Sequence, residues 1–583
     1  MTIEAKVAAI RRSMAGLKLD AWVVYGSDPH NSEYVCPRWR TRAFISGFTG
    51  SAGTVMITPT EALLWVDSRY NIQAAREIEG TQYRLFRYQD PGVPSFFEYL
   101  QKNKDRLHRI GTSADCLMKA EFDRLVSEGF EVVPTADFLD EIWEDRPPVP
   151  GFAVRALDDA ICGESAEKKL ERIRASLDGA DWLFVSSLDD IAWTLNLRGR
   201  DIEYNPVFLS YLLVGKQKAV LFADRCKFTE ELYSRLSRFI EIRPYADVRA
   251  VLSTLGGSQK VALDFRRTNM LVYGAFPGNT VFLNRTDCTT EMKACKNPTE
   301  LEGMRQAHVF DGAALVNLLA QTDRQPSGWT EMKLTDALQS ERDAFAQSRG
   351  PSFGPIAGFA ENGAIVHYSA TQESSAEITR GLVVLDTGGH WETGMTDVTR
   401  TLVFGEPTDD ERRDYTLVLK GHLALYRTCF PAGTTGAQLD VLARQFLWNE
   451  GLTYNHGTGH GVGFCLCVHE GPQSISPRGT YPLKPGMVIS DEPGVYLEGR
   501  HGVRIENLFA VVPKFTTEFG DFYGFEFLTL CPYERRLIDT GLLTEEEIKL
   551  VDEYHAQVRE KLSPVVRPEN LDYLNRATRP LKG

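Results

Sequence analysis

The sequence predicts an α/β and α+β multidomain protein, with two α/β units followed by a larger domain that holds the chemistry. Three observations carry this. The chain has 583 residues, far more than one hydrophobic core supports, and at about 150 residues per domain it divides into three or four. Its first half alternates helical periodicity with short β-rich runs, the pattern of α/β units. Further on the composition changes: glycine-rich turns, histidines and acidic residues concentrate between residues 353 and 506.

The opening residues 1–20 interleave Glu4, Lys6, Arg11 and Arg12 with apolar positions, which predicts an amphipathic helix rather than a signal peptide. Ala21-Trp22-Val23-Val24-Tyr25 and Leu63-Leu64-Trp65-Val66 read as strands. Asp145-Arg146-Pro147-Pro148-Val149-Pro150-Gly151 cannot continue a helix or a central strand, so a first domain is placed at 1–150. A charged helix over 164–177 and runs at 182–186, 211–214 and 219–222 make a second domain, 151–296. Near Lys296-Asn297-Pro298-Thr299-Glu300, Thr299 is expected to open a helix beginning at Glu300. The third domain is 297–583, with a C-terminal extension from about 515. Residues 543–562 read as a highly charged helix with a packing stripe, and no short tandem repeat occurs.

The hydrophobic share of 43% and charged share of 25% are ordinary for a globular protein. A net charge of -14 opposes the counterion release that draws basic proteins to nucleic acid or anionic membranes, so neither partner is expected. No run approaches the roughly 18 apolar residues of a membrane span. Ten cysteines, irregularly spaced, fit reduced thiols and a cytoplasmic address.

Leu382-Val383-Val384-Leu385 reads as a buried strand ending in Asp386, followed by the turn Thr387-Gly388-Gly389 and a return strand over 396–404 with Asp397 at its start. A hairpin of these strands brings both aspartates together. Adjacent carboxylates repel, and a divalent cation is the commonest way to keep both ionised at neutral pH. Taken singly, each is more simply explained as a turn or cap residue. His456-Gly457-Thr458-Gly459-His460-Gly461-Val462-Gly463 sets two histidines among four glycines, which predicts an irregular backbone wrapped closely around a metal or substrate. His469-Glu470-Gly471-Pro472 follows, and then Asp491-Glu492-Pro493-Gly494. The alternation Val503-Arg504-Ile505-Glu506-Asn507-Leu508 places Glu506 on a strand among apolar neighbours, where an unpartnered carboxylate is costly. Two partners compete for it: Arg504 on the same strand face, or a metal. Four carboxylates and one histidine form an oxygen-rich shell suited to two ions such as Mn2+.

Asp386, Asp397, His460, Glu492 and Glu506 match, in order and local context, the metal shell of the pita-bread metallopeptidases. Within that superfamily the chain resembles the cytosolic aminopeptidase P family. The resemblance spans nearly the whole length, through Phe44-Ile45-Ser46-Gly47-Phe48-Thr49-Gly50-Ser51-Ala52-Gly53, the stretch from Trp193 to Asn205 and Pro206, Gly363-Ala364-Ile365-Val366-His367-Tyr368, and the C-terminal stretch 525–543. It implies two creatinase-like α/β domains of related fold, a C-terminal pita-bread catalytic domain and a homodimer. It implies a metalloaminopeptidase that removes an N-terminal residue preceding proline, using hydroxide activated by two divalent ions, with Mn2+ expected and Zn2+ or Co2+ as alternatives.

By the same resemblance Asp386 binds one ion, His460 and Glu492 bind the other, and Asp397 and Glu506 bridge them. Glu492 also shuttles a proton to the leaving proline nitrogen. His367 and His469 stabilise the tetrahedral intermediate, His456 lies beside the scissile bond and proline pocket, and Arg504 positions the bridging carboxylates. A prolidase-type dipeptidase would share all five ligands, and a non-catalytic binding protein of this fold would be expected to have lost some. Cys465 and Cys467 lack the second pair of a structural zinc site and read as small buried hydrophobes. Gly50-Ser51-Ala52-Gly53 has no lysine in P-loop spacing and reads as a turn between strands. Arg38-Trp39-Arg40-Thr41-Arg42 reads as an exposed loop.

Overall fold

The computed structural model describes residues 1–256 and 258–582. The chain forms two compact units, one of Met1–Asp159 with Glu164–Thr290 and one of Ala160–Gly163 with Glu291–Gly583.

The first unit contains two six-stranded sheets. One runs Tyr83–Arg87, Ala62–Val66, Thr54–Ile57, Ala21–Val24, Arg109–Ser113, Glu131–Thr135; the other runs Glu241–Arg243, Ala219–Phe222, Tyr211–Gly215, Trp182–Val185, Lys260–Leu263, Val281–Asn284. Across each sheet in that order the neighbours are parallel, antiparallel, antiparallel, parallel and parallel. Identical order and direction make the two sheets related folds. The central strands Ala62–Val66 and Tyr211–Gly215 are buried along their whole length, as strands covered on both faces must be.

The opening helix is Ile3–Leu17, capped by Thr2 and burying Val7, Ala9, Ile10 and Met14. Residues 144–154 contain no helix or strand. Two expectations are corrected. Arg38 to Arg42 is not an exposed loop: Pro37–Trp39 is a 3-10 helix with Trp39 buried, and Thr41–Ser46 is a helix with Arg42 buried. The Gly50 to Gly53 stretch links that helix to the strand Thr54–Ile57 rather than joining two strands, and the Arg42 guanidinium donates to the Gly50 and Gly53 carbonyls. A buried guanidinium needs acceptors, and a loop turned carbonyl-inward provides them.

The second unit opens on the helix Pro298–Arg324. Its cap is Asn297, not Thr299: the Asn297 side chain accepts from the Thr299 and Glu300 backbone N–H groups while Glu300 returns a bond to the Asn297 N–H. Asparagine with glutamate three residues on, and proline at the first helical position, is the stronger start signal. Three antiparallel strands, Ile356–Phe359, Gly381–Thr387 and Val398–Phe404, form one sheet. A six-stranded sheet runs Phe430–Pro431, Gly520–Phe527, Asn507–Thr517, Val488–Asp491, Gly459–Gly461, Glu470–Ile475, and Gly494–Leu497 pairs with His501–Arg504. Residue 515 falls inside the strand Asn507–Thr517. The helices Asp409–Tyr426, Gly436–Asn449 and Glu545–Leu562 pack onto a core that includes Tyr415, Val418, Ile489, Phe509, Val511 and Val551. The last of these helices carries its packing stripe at Ile548, Val551, Tyr554, Val558 and Leu562.

Candidate metal centre

Gly381–Thr387 and Val398–Phe404 pair so that Asp386 faces Thr399 and Thr387 faces Val398. Asp386 therefore lies beside Asp397, the residue that leads into the second strand. The connection between them is not a tight turn, because Gly389–Trp391 and Gly394–Met395 form their own small ladder. Asp397 and Thr399 are two residues apart and share a strand face.

His460 sits in the middle of Gly459–Gly461, a short strand paired on one side with Glu470–Ile475 and on the other with Val488–Asp491. The expected irregular backbone holds over most of 456–463; only Gly459–Gly461 is strand, and its pairing with Glu470–Ile475 shifts register between His460 and Gly461. The glycines answer to crowding: a Cβ on Gly459 would fall 1.8 Å from the Ser490 carbonyl oxygen, and one on Gly461 2.2 Å from that of Glu470. Only glycine on both sides lets the histidine strand enter the sheet at this depth. Glu492 follows the strand Val488–Asp491, and its backbone N–H is held by the Thr458 carbonyl at 2.7 Å.

Glu506 is not within a strand. It occupies the break between His501–Arg504 and Asn507–Thr517, with its N–H on the Thr399 carbonyl at 3.1 Å. Its ion-pair partner is also not Arg504: the guanidinium donates to Asp386 Oδ2 at 2.7 Å, to Tyr496 Oη at 2.8 Å and to Thr399 Oγ1 at 3.2 Å. Glu506 instead accepts from Thr399 Oγ1 at 2.8 Å. The strand break rotates the two side chains away from each other, which alternation alone does not reveal.

Ligand atoms of Asp397, His460 and Glu506 all lie within 4.8 Å of one another. His460 Nε2 is 3.4 Å from Asp397 Oδ2 and 3.5 Å from Glu492 Oε1. His460 Nδ1 lies 2.8 Å from the Gly461 carbonyl, which places a proton on Nδ1 and turns Nε2 toward the carboxylates. Burial, with repulsion from Asp397, Glu492 and Asp386, drives the Glu506 carboxyl well above its usual range. Burial likewise raises Glu492 to about 7 against the pull of His460, and raises Asp386 against the pull of Arg504. Burial lowers His460, but Asp397 and Glu492 outweigh it and lift the imidazole to about 9. Asp386 Oδ1 is buried without a hydrogen-bond partner. Each observation says the pocket is short of positive charge. Carboxylate oxygens with one imidazole are the donor set that divalent ions fit, so these residues suit a resident metal.

The remaining candidates surround this cluster. The His469 ring lies 4.3 Å from that of His460. His456 Nδ1 is 3.9 Å from Glu492 Oε2. The segment carrying His367 is tied in through the Val366 carbonyl, 3.5 Å from Arg504 Nη1. Cys465 is buried, with its thiol on the Trp391 and Gly394 carbonyls at 3.4 Å.

Two residues were missed from sequence. Tyr496 takes the Arg504 donor and so directs its own hydroxyl proton to His456 Nε2, 2.9 Å away. That leaves the His456 proton on Nδ1, facing the Gly457 carbonyl at 2.7 Å. Thr399 bridges Arg504 and Glu506. Its two-residue spacing from Asp397 was the available signal; Tyr496 had none, because its bond to His456 spans 40 positions.

A buried cluster of carboxylates and one histidine on antiparallel sheets is the arrangement of a metal-dependent hydrolase. Residues 302–513 match metallopeptidase family M24, residues 6–146 and 145–300 each match the creatinase/prolidase N-terminal domain, and residues 521–581 match the C-terminal region of the M24 peptidases. A probable Xaa-Pro aminopeptidase P from Laccaria bicolor is 39% identical over 99% of this chain and 93% of its own length. Xaa-Pro aminopeptidase 1 of Dictyostelium discoideum is 36% identical over 100% and 97%. The crystal structure of a Caenorhabditis elegans X-prolyl aminopeptidase, described as a cytosolic enzyme with a di-nuclear active site, superposes with a TM-score of 0.94 at 33% identity, covering 100% of both chains. A Bacillus anthracis Xaa-Pro dipeptidase covers 64% of this chain and 99% of its own, with a TM-score of 0.52 at 25% identity. The chain belongs to metallopeptidase family M24, among its Xaa-Pro aminopeptidase P members.

Proposed function

We propose that this chain is a metal-dependent aminopeptidase that hydrolyses the peptide bond between an N-terminal residue and a following proline. One observation carries the reading: Asp397, His460 and Glu506 converge within 4.8 Å in a chain matched over its full length by Xaa-Pro aminopeptidases. Asp386 would hold one divalent ion, His460 and Glu492 would hold the other, and Asp397 and Glu506 would serve both. Mn2+ is the expected ion, because the donors are mostly hard oxygens with a single imidazole. Bound there, the ions would polarise the scissile carbonyl and bring a water toward ionisation near neutral pH.

The chain's own residues do the rest. The Glu492 carboxyl, beside His460 at 3.5 Å, carries a proton from water to the leaving proline nitrogen. His367 and His469 donate hydrogen bonds to the developing oxyanion. His456, its tautomer set by Tyr496 and Gly457, borders the scissile bond and proline pocket. Arg504 orients Asp386 through a 2.7 Å bond. The division into 1–150, 151–296 and 297–583, a cytoplasmic setting and a homodimer belong to the same reading. The pair of matching sheets and the two creatinase/prolidase N-terminal matches support the division, and the description of the Caenorhabditis elegans neighbour as a cytosolic enzyme supports the setting.

The test compares a tripeptide with proline second, the same peptide with alanine second and an X-Pro dipeptide, before and after chelation and Mn2+ reloading. Metal-dependent release of the first residue only from the proline tripeptide is expected. Cleavage of the dipeptide alone would mean a prolidase, and no cleavage with metal bound would remove the aminopeptidase assignment.

A further inference from the structure

Glu331, the first residue of the helix Glu331–Asp343, is completely buried at 0% exposure and pairs with no cation. Its carboxylate is satisfied by four donors. Oε1 accepts from the Phe359 backbone N–H at 2.8 Å and from Asn362 Nδ2 at 3.0 Å. Oε2 accepts from Tyr368 Oη at 2.8 Å and from the Ala376 N–H at 2.9 Å. All four donors belong to one segment, residues 359–376, which starts at the last residue of the strand Ile356–Phe359, continues through a single 3-10 helix, Ala360–Ala364, and holds no further strand until Glu377–Ile378. Two donors precede His367 and two follow it, one of them its immediate neighbour.

We propose that Glu331 is a positioning residue for His367. An ionised carboxylate accepting four hydrogen bonds is a strong clamp in a buried setting, because each bond is charge-assisted and none is exchanged with water. Beyond Phe359, which pairs with Val383, the segment has little ladder of its own to hold it. Its further ties include the Ala376 carbonyl accepting from the Glu331 backbone N–H at 3.1 Å, the Ser375 hydroxyl accepting from the Met332 N–H at 3.1 Å and the long Arg504 Nη1 contact to the Val366 carbonyl at 3.5 Å. The carboxylate thus closes the loop at both ends and fixes the half-buried imidazole relative to the neighbouring strand, where Ile356 pairs with Asp386. A hydrogen-bond donor to an oxyanion must be placed within a few tenths of an ångström to act. Glu331 sets that placement without touching substrate.

This rests on the assignment of His367 to oxyanion stabilisation, and a double-mutant cycle separates the two claims. Glu331→Gln, His367→Ala and the double variant are compared as Mn2+-loaded enzyme on the proline tripeptide, with kcat, KM and bound metal measured for each. Glutamine keeps the shape but offers donors where Tyr368 and Ala376, or Phe359 and Asn362, also donate. The expected result is a kcat about tenfold lower for Glu331→Gln, with KM within about twofold and metal content unchanged, shrinking to less than about twofold when His367 is already alanine. The same tenfold factor in both backgrounds, or loss of metal in Glu331→Gln, would overturn the positioning role. An unchanged kcat in His367→Ala alone would overturn the assignment of His367 and this proposal with it. If Glu331→Gln does not fold, Tyr368→Phe removes one donor and runs through the same cycle, with a smaller loss that must also vanish without His367.

Discussion

The strand Val398–Phe404 and the residue leading into it present two contrasting polar faces. Toward the metal centre, Asp397 and Thr399 stand beside the Glu506, Glu492 and Asp386 carboxyls, which burial and neighbouring negative charge push upward. On the other side Arg400, 2% exposed, donates to the backbone carbonyls of Thr399, Glu506, Cys531 and Pro532, to Asn507 Oδ1 and to Tyr554 Oη. That side is saturated by the protein alone, and it ties the C-terminal helix Glu545–Leu562 to the break that holds Glu506. The site side is left charge-hungry. The contrast teaches which buried polar residues hold the fold and which await a ligand: the first complete their hydrogen bonds internally, the second do not.

Glu506→Gln removes charge from the hungry side and should have the largest effect. A loss in kcat/KM of more than about a hundredfold, beyond that of a supporting residue, is expected together with loss of bound metal by elemental analysis. Arg400→Met acts on the saturated side. It takes a donor from six acceptors, of which the Thr399 and Cys531 carbonyls keep another, and should destabilise the protein by about 3 kcal/mol or more in denaturant unfolding, while the molecules that remain folded still bind metal. Equal metal loss in both variants would erase the distinction between the faces. Arg504→Lys keeps the charge but cannot span Asp386, Tyr496 and Thr399 together, so kcat should fall about 10- to 100-fold with weaker metal affinity. Tyr496→Phe frees the His456 tautomer and should cost less, about three- to tenfold in kcat/KM with metal retained.

The smallest expected effect is on stability against pH in chelated protein. Glu492 is raised from 4.5 to about 7, so the folded form binds its proton more tightly than the unfolded chain. Its contribution is present below pH 4.5 and is lost as pH climbs through about 7. His460, raised from 6.5 to about 9, has the same sign at higher pH. Thermal unfolding of the chelated protein should therefore weaken between about pH 5 and 9, and Mn2+ should flatten the slope.

Much of this was legible in the sequence because it is local. Strand runs such as Ala21–Val24 and Trp182–Val185 announce themselves by composition, and Asp386, Asp397, His460 and Glu492 lie in short motifs bounded by glycine or proline. What stayed hidden was nonlocal or depended on a break in regularity. The period-two reading of 503–508 left Arg504 or a metal as the partner of Glu506, whereas the interruption at Ile505 and Glu506 sends Arg504 to Asp386. The glycines around His460 predicted irregular backbone, which holds outside Gly459–Gly461; the short strand itself was hidden, and there Ser490 and Glu470 require glycine by proximity. Glu331 sits 36 positions before His367 and carries no motif; only the folded loop reveals their link.

The central claim is that these carboxylates and His460 hold ions on which peptide cleavage depends. The direct measurement is a titration of chelated enzyme with Mn2+, following bound metal by equilibrium dialysis and cleavage of the proline tripeptide in the same samples. Activity that is absent without metal and saturates as occupancy reaches two ions per chain is the predicted result. Full activity in the chelated protein, or undiminished metal binding in Asp397→Asn and Glu506→Gln, would contradict it.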